Sequence, residues 1–321
     1  MLRRTCLASL ALAALMAAPQ AQEFPTRRIH MIVPYPAGGI VDVVTRIVTD
    51  RLSEIWQQPI IVEAKPTGSG NVAWDQVARA EPDGYTWTFI GPAIMANPYM
   101  YGNLRWSEKS FTPVSAVAWA PSIFVVHPSV PANSMKEFID YVRQRPGAVA
   151  WPSPGIGTSQ HLNMAIFLNA TKLEMVLVPY TGQPAAILDL MANRVQVQLA
   201  SVGLVAQHIK SGALKPLAVL GARRSPMVPD VPTMTEAGYP EINVVPWYGY
   251  AVPRGTPQRV IDRIAAGFAD AIKSPKVRDL LEKQAIEPMD PISLKELAEL
   301  YAADAEKYAK VVRESGMKRS E

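Results

Sequence analysis

Short apolar runs alternate with helical patterns along most of the chain, and that rhythm admits few architectures. Residues 29–34 form an apolar strand, and Val44, Ile47, Val48, Leu52 and Ile55 then fall on one helical face. Pro59 stops that helix, residues 60–63 read as the next strand, and Asn71 can cap a helix running to Ala80. Pro82-Asp83-Gly84 turns into a strand at Thr86–Ile90. Consecutive βα units of this kind predict an α/β fold with a mainly parallel sheet covered on both faces.

A second series begins near Ser122. A strand runs through Ile123, Phe124, Val125 and Val126, and a capping box from Ser134 to Glu137 opens a helix that ends before Pro146-Gly147. Strands are expected at residues 149–151, 175–178, 195–199 and 217–220, with helices between them. A further strand spans residues 247–252, and Thr256-Pro257 supplies a cap and a first-turn proline for the next helix. The last third is mostly helical, with a second capping box from Ser293 to Glu296 and apolar Leu297, Leu300, Tyr301, Tyr308 and Val312 at helical spacings. It is expected to pack back on the first series. A chain of this length exceeds the usual single domain, so two lobes are expected.

Ahead of this pattern, Arg3 and Arg4 precede an apolar run at residues 7–18, too short to cross a bilayer as a helix. It reads as a removable signal peptide cut after Ala21, which makes the processed chain periplasmic. Pro19 departs from the small residue a peptidase prefers there. Cys6 is the only cysteine, so the processed chain has no disulfide, thiolate metal site or cysteine nucleophile. The 32 basic and 28 acidic residues nearly balance once Arg3 and Arg4 are removed. The basic residues are scattered rather than striped, which argues against nucleic acid.

The loop Pro34-Tyr35-Pro36-Ala37-Gly38-Gly39 lies between an apolar strand and a helix. In a parallel sheet such loops line the ligand crevice, and glycines let backbone N–H groups approach an anion at the helix N-terminus. An ordinary turn fits the same letters. A second loop, from Pro152 to His161, has the same layout after a strand, and here Ser153, Thr158 and Ser159 add hydroxyls. Thr158 or Ser159 equally serves as the helix cap, and both roles can hold at once. Two such loops on two βα series suggest a cleft with one wall from each lobe, closing on its ligand.

The run from Val33 through Gly39 to Asp42, with Gln58-Pro59, Gly68-Ser69-Gly70-Asn71 and Pro82-Asp83-Gly84-Tyr85-Thr86, closely resembles the Bug family. These are solute-binding proteins of tripartite tricarboxylate transporters. The likeness continues through Gly157-Thr158-Ser159-Gln160-His161-Leu162, Val178-Pro179-Tyr180, Asp230-Val231-Pro232-Thr233 and Pro253-Arg254-Gly255-Thr256-Pro257. The resemblance implies a two-lobed type II periplasmic-binding-protein (Venus flytrap) fold, each lobe a mainly parallel sheet flanked by helices. Lobe 1 would be discontinuous, residues 22–122 plus 245–321, and lobe 2 would be residues 123–244. It also implies that the two loops hold a ligand carboxylate, that Asp42 supports the first helix turn, and that the partner is a membrane permease of that transporter type.

The expected ligand residues are Tyr35, Pro36, Ala37, Gly38, Gly39 and Asp42 in the first loop, and Trp151, Ser153, Gly157, Thr158, Ser159 and His161 in the second. Ala93, Tyr180, Ala200, Ser201 and Trp247 complete the set. Relatives often carry polar residues where this chain has Ala93, Ile94 and Ala200. An acid that would pair with a ligand amino group is absent at Ala200, which disfavours amino acids. A less polar or aromatic carboxylate, stacked on Trp151 or Trp247, is the expectation; core or rim positions for these tryptophans are the alternative.

The rival classes are an enzyme and a sensory binding protein that presents its ligand-bound form to a membrane kinase. His30, His127, His161 and His208 have no metal-ligand spacing, and no GxSxG elbow or Walker loop occurs. No catalytic residue, metal or cofactor is expected, and the protein is expected to be monomeric.

Overall fold

The computed structural model describes residues 24–242 and 244–314, so the signal peptide expected at residues 1–21 lies outside the described residues. β1 (Ile29–Val33) lies inside the first sheet, and its burial is nearly continuous, as two covered faces require. It pairs in parallel with β2 (Ile60–Ala64) and β3 (Thr86–Ile90). Beyond β3 the pairing departs from the parallel expectation. β10 (Trp247–Pro253) enters antiparallel between β3 and β4 (Phe111–Trp119), and β11 (Glu287–Pro288) lies antiparallel on the far side of β4. The reason is the route of the chain. β4 leaves the sheet at Trp119, paired with Trp247 where β10 returns, and the Ala120 N–H donates to the Pro246 carbonyl at 2.9 Å. A strand that enters where its neighbour leaves must run the other way, so β1 to β4 point together and β10 and β11 oppose them.

Between those crossings stands the second lobe. β5 (Ser122–Val126) runs antiparallel between β8 (Val197–Ser201) and β9 (Lys215–Leu220), while β6 (Ala150–Ser153) and β7 (Val176–Pro179) pair in parallel. Gln196, just before β8, joins the two small sheets: its N–H donates to the Ala150 carbonyl at 3.0 Å, and its Oε1 accepts from the Ala150 N–H at 2.9 Å.

Each lobe carries an apolar layer on both faces of its sheet. In the first, α1 (Ile40–Trp56) and α8 (Gln258–Lys273) share one face through Val44, Val48, Leu52, Ile264 and Phe268. α2 (Asn71–Ala78), α3 (Pro92–Met100) and α10 (Leu294–Glu314) share the other. In the second, α4 (Met135–Arg143) and α5 (Ser159–Thr171) cover one face. α6 (Gln183–Met191) and α7 (Val202–Lys210) cover the other. The C-terminal helices therefore pack on the first sheet, as their apolar faces predict.

The helix caps follow the sequence with local shifts. At α10, the Glu296 N–H donates to Ser293 Oγ at 3.2 Å and the Ser293 N–H to Glu296 Oε2 at 2.8 Å, a complete capping box. At α4, Ser134 caps as predicted, but Glu137 reaches back to the Asn133 N–H instead. Asn71 is the first residue of α2, not its cap. Gly70, at φ +84, takes the cap, and Asn71 Oδ1 instead accepts from Asn97 Nδ2 at 2.8 Å. At α8 the cap is Pro257, because the Thr256 hydroxyl is spent on the Pro253 carbonyl.

The lobes also touch where α7 meets the turn after α9 (Pro275–Glu282). A methyl group built on Gly203 would lie 2.2 Å from the Gln284 carbonyl oxygen. Glycine-to-alanine in a helix ordinarily stabilises by about 1 kcal/mol. Here the obstacle is backbone, and overpacking of this kind costs about 1–3 kcal/mol. Gly203→Ala is therefore expected to lower the midpoint of thermal unfolding; a raised midpoint rules out this close approach.

Candidate functional site

A cavity of about 60 Å³ lies between the lobes. That holds a few waters or one small organic acid. Tyr35, Pro36, Gly39, Ile40 and Val41 line it from the first loop and α1, Phe89 and Tyr248 from β3 and β10, and Pro92 from the start of α3. The second lobe contributes Pro154, Thr158, Ser159, Gln160, Gly182, Gln183 and Pro184. A second space of about 320 Å³ shares Tyr35, Pro36, Pro154 and Thr158 with it and reaches Ser69 and Tyr180. The lobes are closed over the first cavity: a methyl built on Gly182 would lie 3.3 Å from Pro36.

The first loop turns at Gly38, where φ is +76 and an L side chain is strained. That turn spends the N–H groups expected to hold an anion. Gly38 N–H donates to Asp42 Oδ2 at 3.0 Å, and Gly39 N–H to the Pro36 carbonyl at 3.3 Å. Asp42 is held in turn by Arg46 at 3.0 Å. The donors left over are the next two. Gly39 caps α1 without a side-chain bond, so the Ile40 and Val41 N–H groups have no intrahelical acceptor. Ala37 and Gly38 are exposed and do not line the cavity.

The second loop repeats the arrangement. Gly155 N–H donates to Ser153 Oγ at 3.4 Å, Gly157 N–H to His161 Nδ1 at 3.0 Å, and Thr158 N–H to the Gly155 carbonyl at 3.2 Å. Thr158 caps α5 by accepting from the His161 N–H at 3.4 Å. The Ser159 and Gln160 N–H groups in the first helical turn remain. α6 begins at the same place: Gly182 caps it without a side chain, and Gln183 opens it. Three helix N-termini thus face one cavity, each carrying the positive end of its dipole. No lining residue bears a formal charge. Hollows of about 420 and 540 Å³ elsewhere have walls of mixed charge, Glu241 and Glu314 with Lys307 and Lys310 in one, and Glu108 and Glu306 with Lys109 and Arg254 in the other.

Several predicted contacts lie elsewhere. Trp247 points to the opposite face of β10, where its Nε1 donates to Asp304 of α10 at 2.8 Å; alternation along the strand puts Tyr248 in the cavity instead. Trp151 is buried in the second-lobe core, its ring tilted at 5.8 Å from His161. Ser153 is sealed beneath its loop and holds Gly155. Ala200 faces the core under α6 and α7, so its lack of charge bears on packing rather than on a ligand. Ser201 meets Gln183 twice, its N–H donating to Oε1 at 2.8 Å and its hydroxyl accepting from Nε2 at 3.0 Å. It positions a lining residue without lining the cavity itself. Ala93 and Gly157 meet across the lobes. Tyr180 borders only the second space, donates to Asp189 at 2.7 Å, and is pushed up to about 12 by burial and then by that bond. His161 is pushed down to about 4 by burial, which keeps the ring neutral and Nδ1 free to accept from Gly157. Its role is to hold a loop, with no hydroxyl activated.

The sequence reading missed Ile40, Val41, Phe89, Pro92, Pro154, Gln160, Gly182, Gln183, Pro184 and Tyr248. Gly182-Gln183-Pro184 carried a usable signal, because it is a third strand–loop–helix junction with a proline in the first turn. Among the described residues no group of acids, histidines or cysteines has the arrangement of a metal site, and no helix is long and apolar enough to cross a membrane.

Two α/β lobes joined by adjacent crossings, with helix N-termini facing a closed interlobe cavity, define a solute-binding protein of the periplasmic type. The model of the tripartite tricarboxylate transporter family receptor, TctC, matches residues 44–317, and the chain belongs to that family. BugT of Bordetella pertussis is 31% identical over 319 residues, covering 96% of this chain and 95% of its own. A solved R. palustris protein with adipate aligns at TM-score 0.85 and 30% identity, covering 92% of this chain and 99% of its own. MatC of Rhodopseudomonas palustris with bound malate aligns at 0.84 and 27% identity, covering 90% and 100%.

Proposed function

We propose that this chain is a periplasmic receptor that captures a small organic carboxylate in the interlobe cavity and delivers it to the membrane subunits of a tripartite transporter. The observation that carries the reading is the convergence of α1, α5 and α6 N-termini on a cavity without a formal charge in its walls. Each backbone hydrogen bond to a carboxylate contributes roughly 1.5–3 kcal/mol, so a few fix a small acid without a cation. The adipate and malate held by the two related structures support the same ligand class. The lack of any acid in the walls disfavours a ligand ammonium group, which replaces the argument from Ala200. The leader at residues 1–21 supports export. The two lobes of the clamp are residues 22–122 with 245–321, and residues 123–244. Binding is reversible, with no covalent chemistry.

A thermal-shift screen of mono- and dicarboxylates against the matching uncharged amides tests this. An acid at a hundred times its dissociation constant is expected to stabilise by about 2.7 kcal/mol. Stabilisation by the amides alone overturns the carboxylate reading.

A further inference from the structure

The polar side chains of the cavity can be accounted for one by one. Thr158 donates to the Gly155 carbonyl at 2.8 Å, Ser159 donates to Gln160 Oε1 at 3.1 Å, and Gln183 is held at both ends by Ser201. The Tyr35 and Tyr248 hydroxyls make no hydrogen bond among the described residues, although each lies within electrostatic reach of the other. Neither is among the sealed, unpartnered polar atoms of the interior, and both residues line the cavity. The rings are fixed in place by Phe89, which meets both edge-on, at 5.7 Å from Tyr35 and 5.1 Å from Tyr248. Burial raises both phenols far above their ordinary value, so they stay protonated and able to donate.

Two rigid donors in a closed apolar niche are a poor match for a purely hydrocarbon ligand, since each hydroxyl left unpaired there loses its hydrogen bond to water. They are equally poorly placed for a second carboxylate. A carboxylate has about four acceptor sites, so the two hydroxyls would leave it half satisfied beside the apolar Phe89 ring, where it also meets no countercharge. What fits is a neutral oxygen.

Resting on the carboxylate reading above, we propose that Tyr35 and Tyr248 are specificity residues that select a monocarboxylate bearing a neutral oxygen acceptor, a 2-oxo or 2-hydroxy group, over the plain acid. A site built to hydrogen-bond an oxygen strongly rejects the analogue that lacks it, because its own buried groups are then unpaired.

The test is calorimetric titration of the processed protein, refolded to strip any carried ligand, with pentanoate, 2-oxopentanoate, 2-hydroxypentanoate and malate. Wild type is compared with Tyr35→Phe, Tyr248→Phe and the double variant. The wild type is expected to prefer an oxygenated monocarboxylate over pentanoate by about tenfold or more. Each single variant should reduce that preference and the double variant abolish it, with pentanoate affinity unchanged or improved. Equal binding of pentanoate and its oxygenated analogues by wild type overturns the inference and leaves the carboxylate reading standing. So does a preference that survives in the double variant, or a tighter malate complex indifferent to both substitutions. If none of the four acids binds, the inference falls, and the carboxylate reading is decided by the thermal-shift screen.

Discussion

Replacing Gly157 by alanine is expected to weaken ligand binding by about a hundredfold, roughly 2.7 kcal/mol, while the protein stays folded. A methyl group there would lie 2.1 Å from Asn97 Oδ1, across the boundary between the lobes. Asn97 cannot swing aside, because it is fully buried and its Nδ2 donates to Asn71 Oδ1 at 2.8 Å and to the Ser69 carbonyl at 3.3 Å. When the lobes separate the collision disappears, so its cost falls on the closed, ligand-holding form, and the population shifts toward the open one. The φ of +81 at Gly157 adds about 1–2 kcal/mol of strain for alanine in either form. Titration with the tightest acid from the thermal-shift screen gives the single-variant effect. Pairing it with Asn97→Ala in a double-mutant cycle isolates the collision. If Gly157→Ala remains as weak a binder without the Asn97 side chain, the loss comes from the loop's own strain and not from blocked closure.

Acid is expected to destabilise the protein through His161 between about pH 6.5 and pH 4. Burial lowers this imidazole from 6.5 to about 4, so in that window the unfolded chain takes up a proton that the folded chain refuses. Stability contributed by the neutral ring is complete above pH 6.5 and is lost as the pH falls toward 4. The displacement corresponds to roughly 3 kcal/mol. The local reason is visible in the loop: Nδ1 accepts from the Gly157 N–H at 3.0 Å, and a protonated ring has no lone pair there. Denaturant unfolding of wild type and His161→Gln across this range separates the contribution from that of the carboxylates, which titrate in both. The wild type should lose more stability than the variant on going from pH 7 to pH 4.5. Parallel curves would mean that His161 is not the group responsible.

Much of the architecture was legible because it is written in short-range patterns. The apolar runs at β1, β3 and β5, the helical face of Val44, Val48 and Leu52, and the Ser293 and Glu296 box all depend on neighbours within a few residues. The two loops that line the cavity were legible for the same reason: a loop between a strand and a helix ends at an N-terminus whose first N–H groups lack partners. What local patterns do not encode is which N–H groups a turn consumes. Gly38 and Gly39 looked like donors to a ligand, yet the turn and Asp42 use both, and the free groups are Ile40 and Val41.

By itself, then, the sequence determined the α/β alternation, the positions of the loops and the family, since periodicity, turn chemistry and motif order are all local or linear properties. Only the tertiary structure decided which side chains meet in the cavity. Trp247 and Tyr248 are adjacent and both aromatic, but the pleat sends one toward α10 and the other toward the ligand space. Gly157 and Asn97 are far apart in the chain and belong to different lobes, and nothing near either one announces the other. The antiparallel return of β10 beside β4 folds the two crossings together and lets one lobe close on the other, and that long-range packing is what makes a binding site from separate loops.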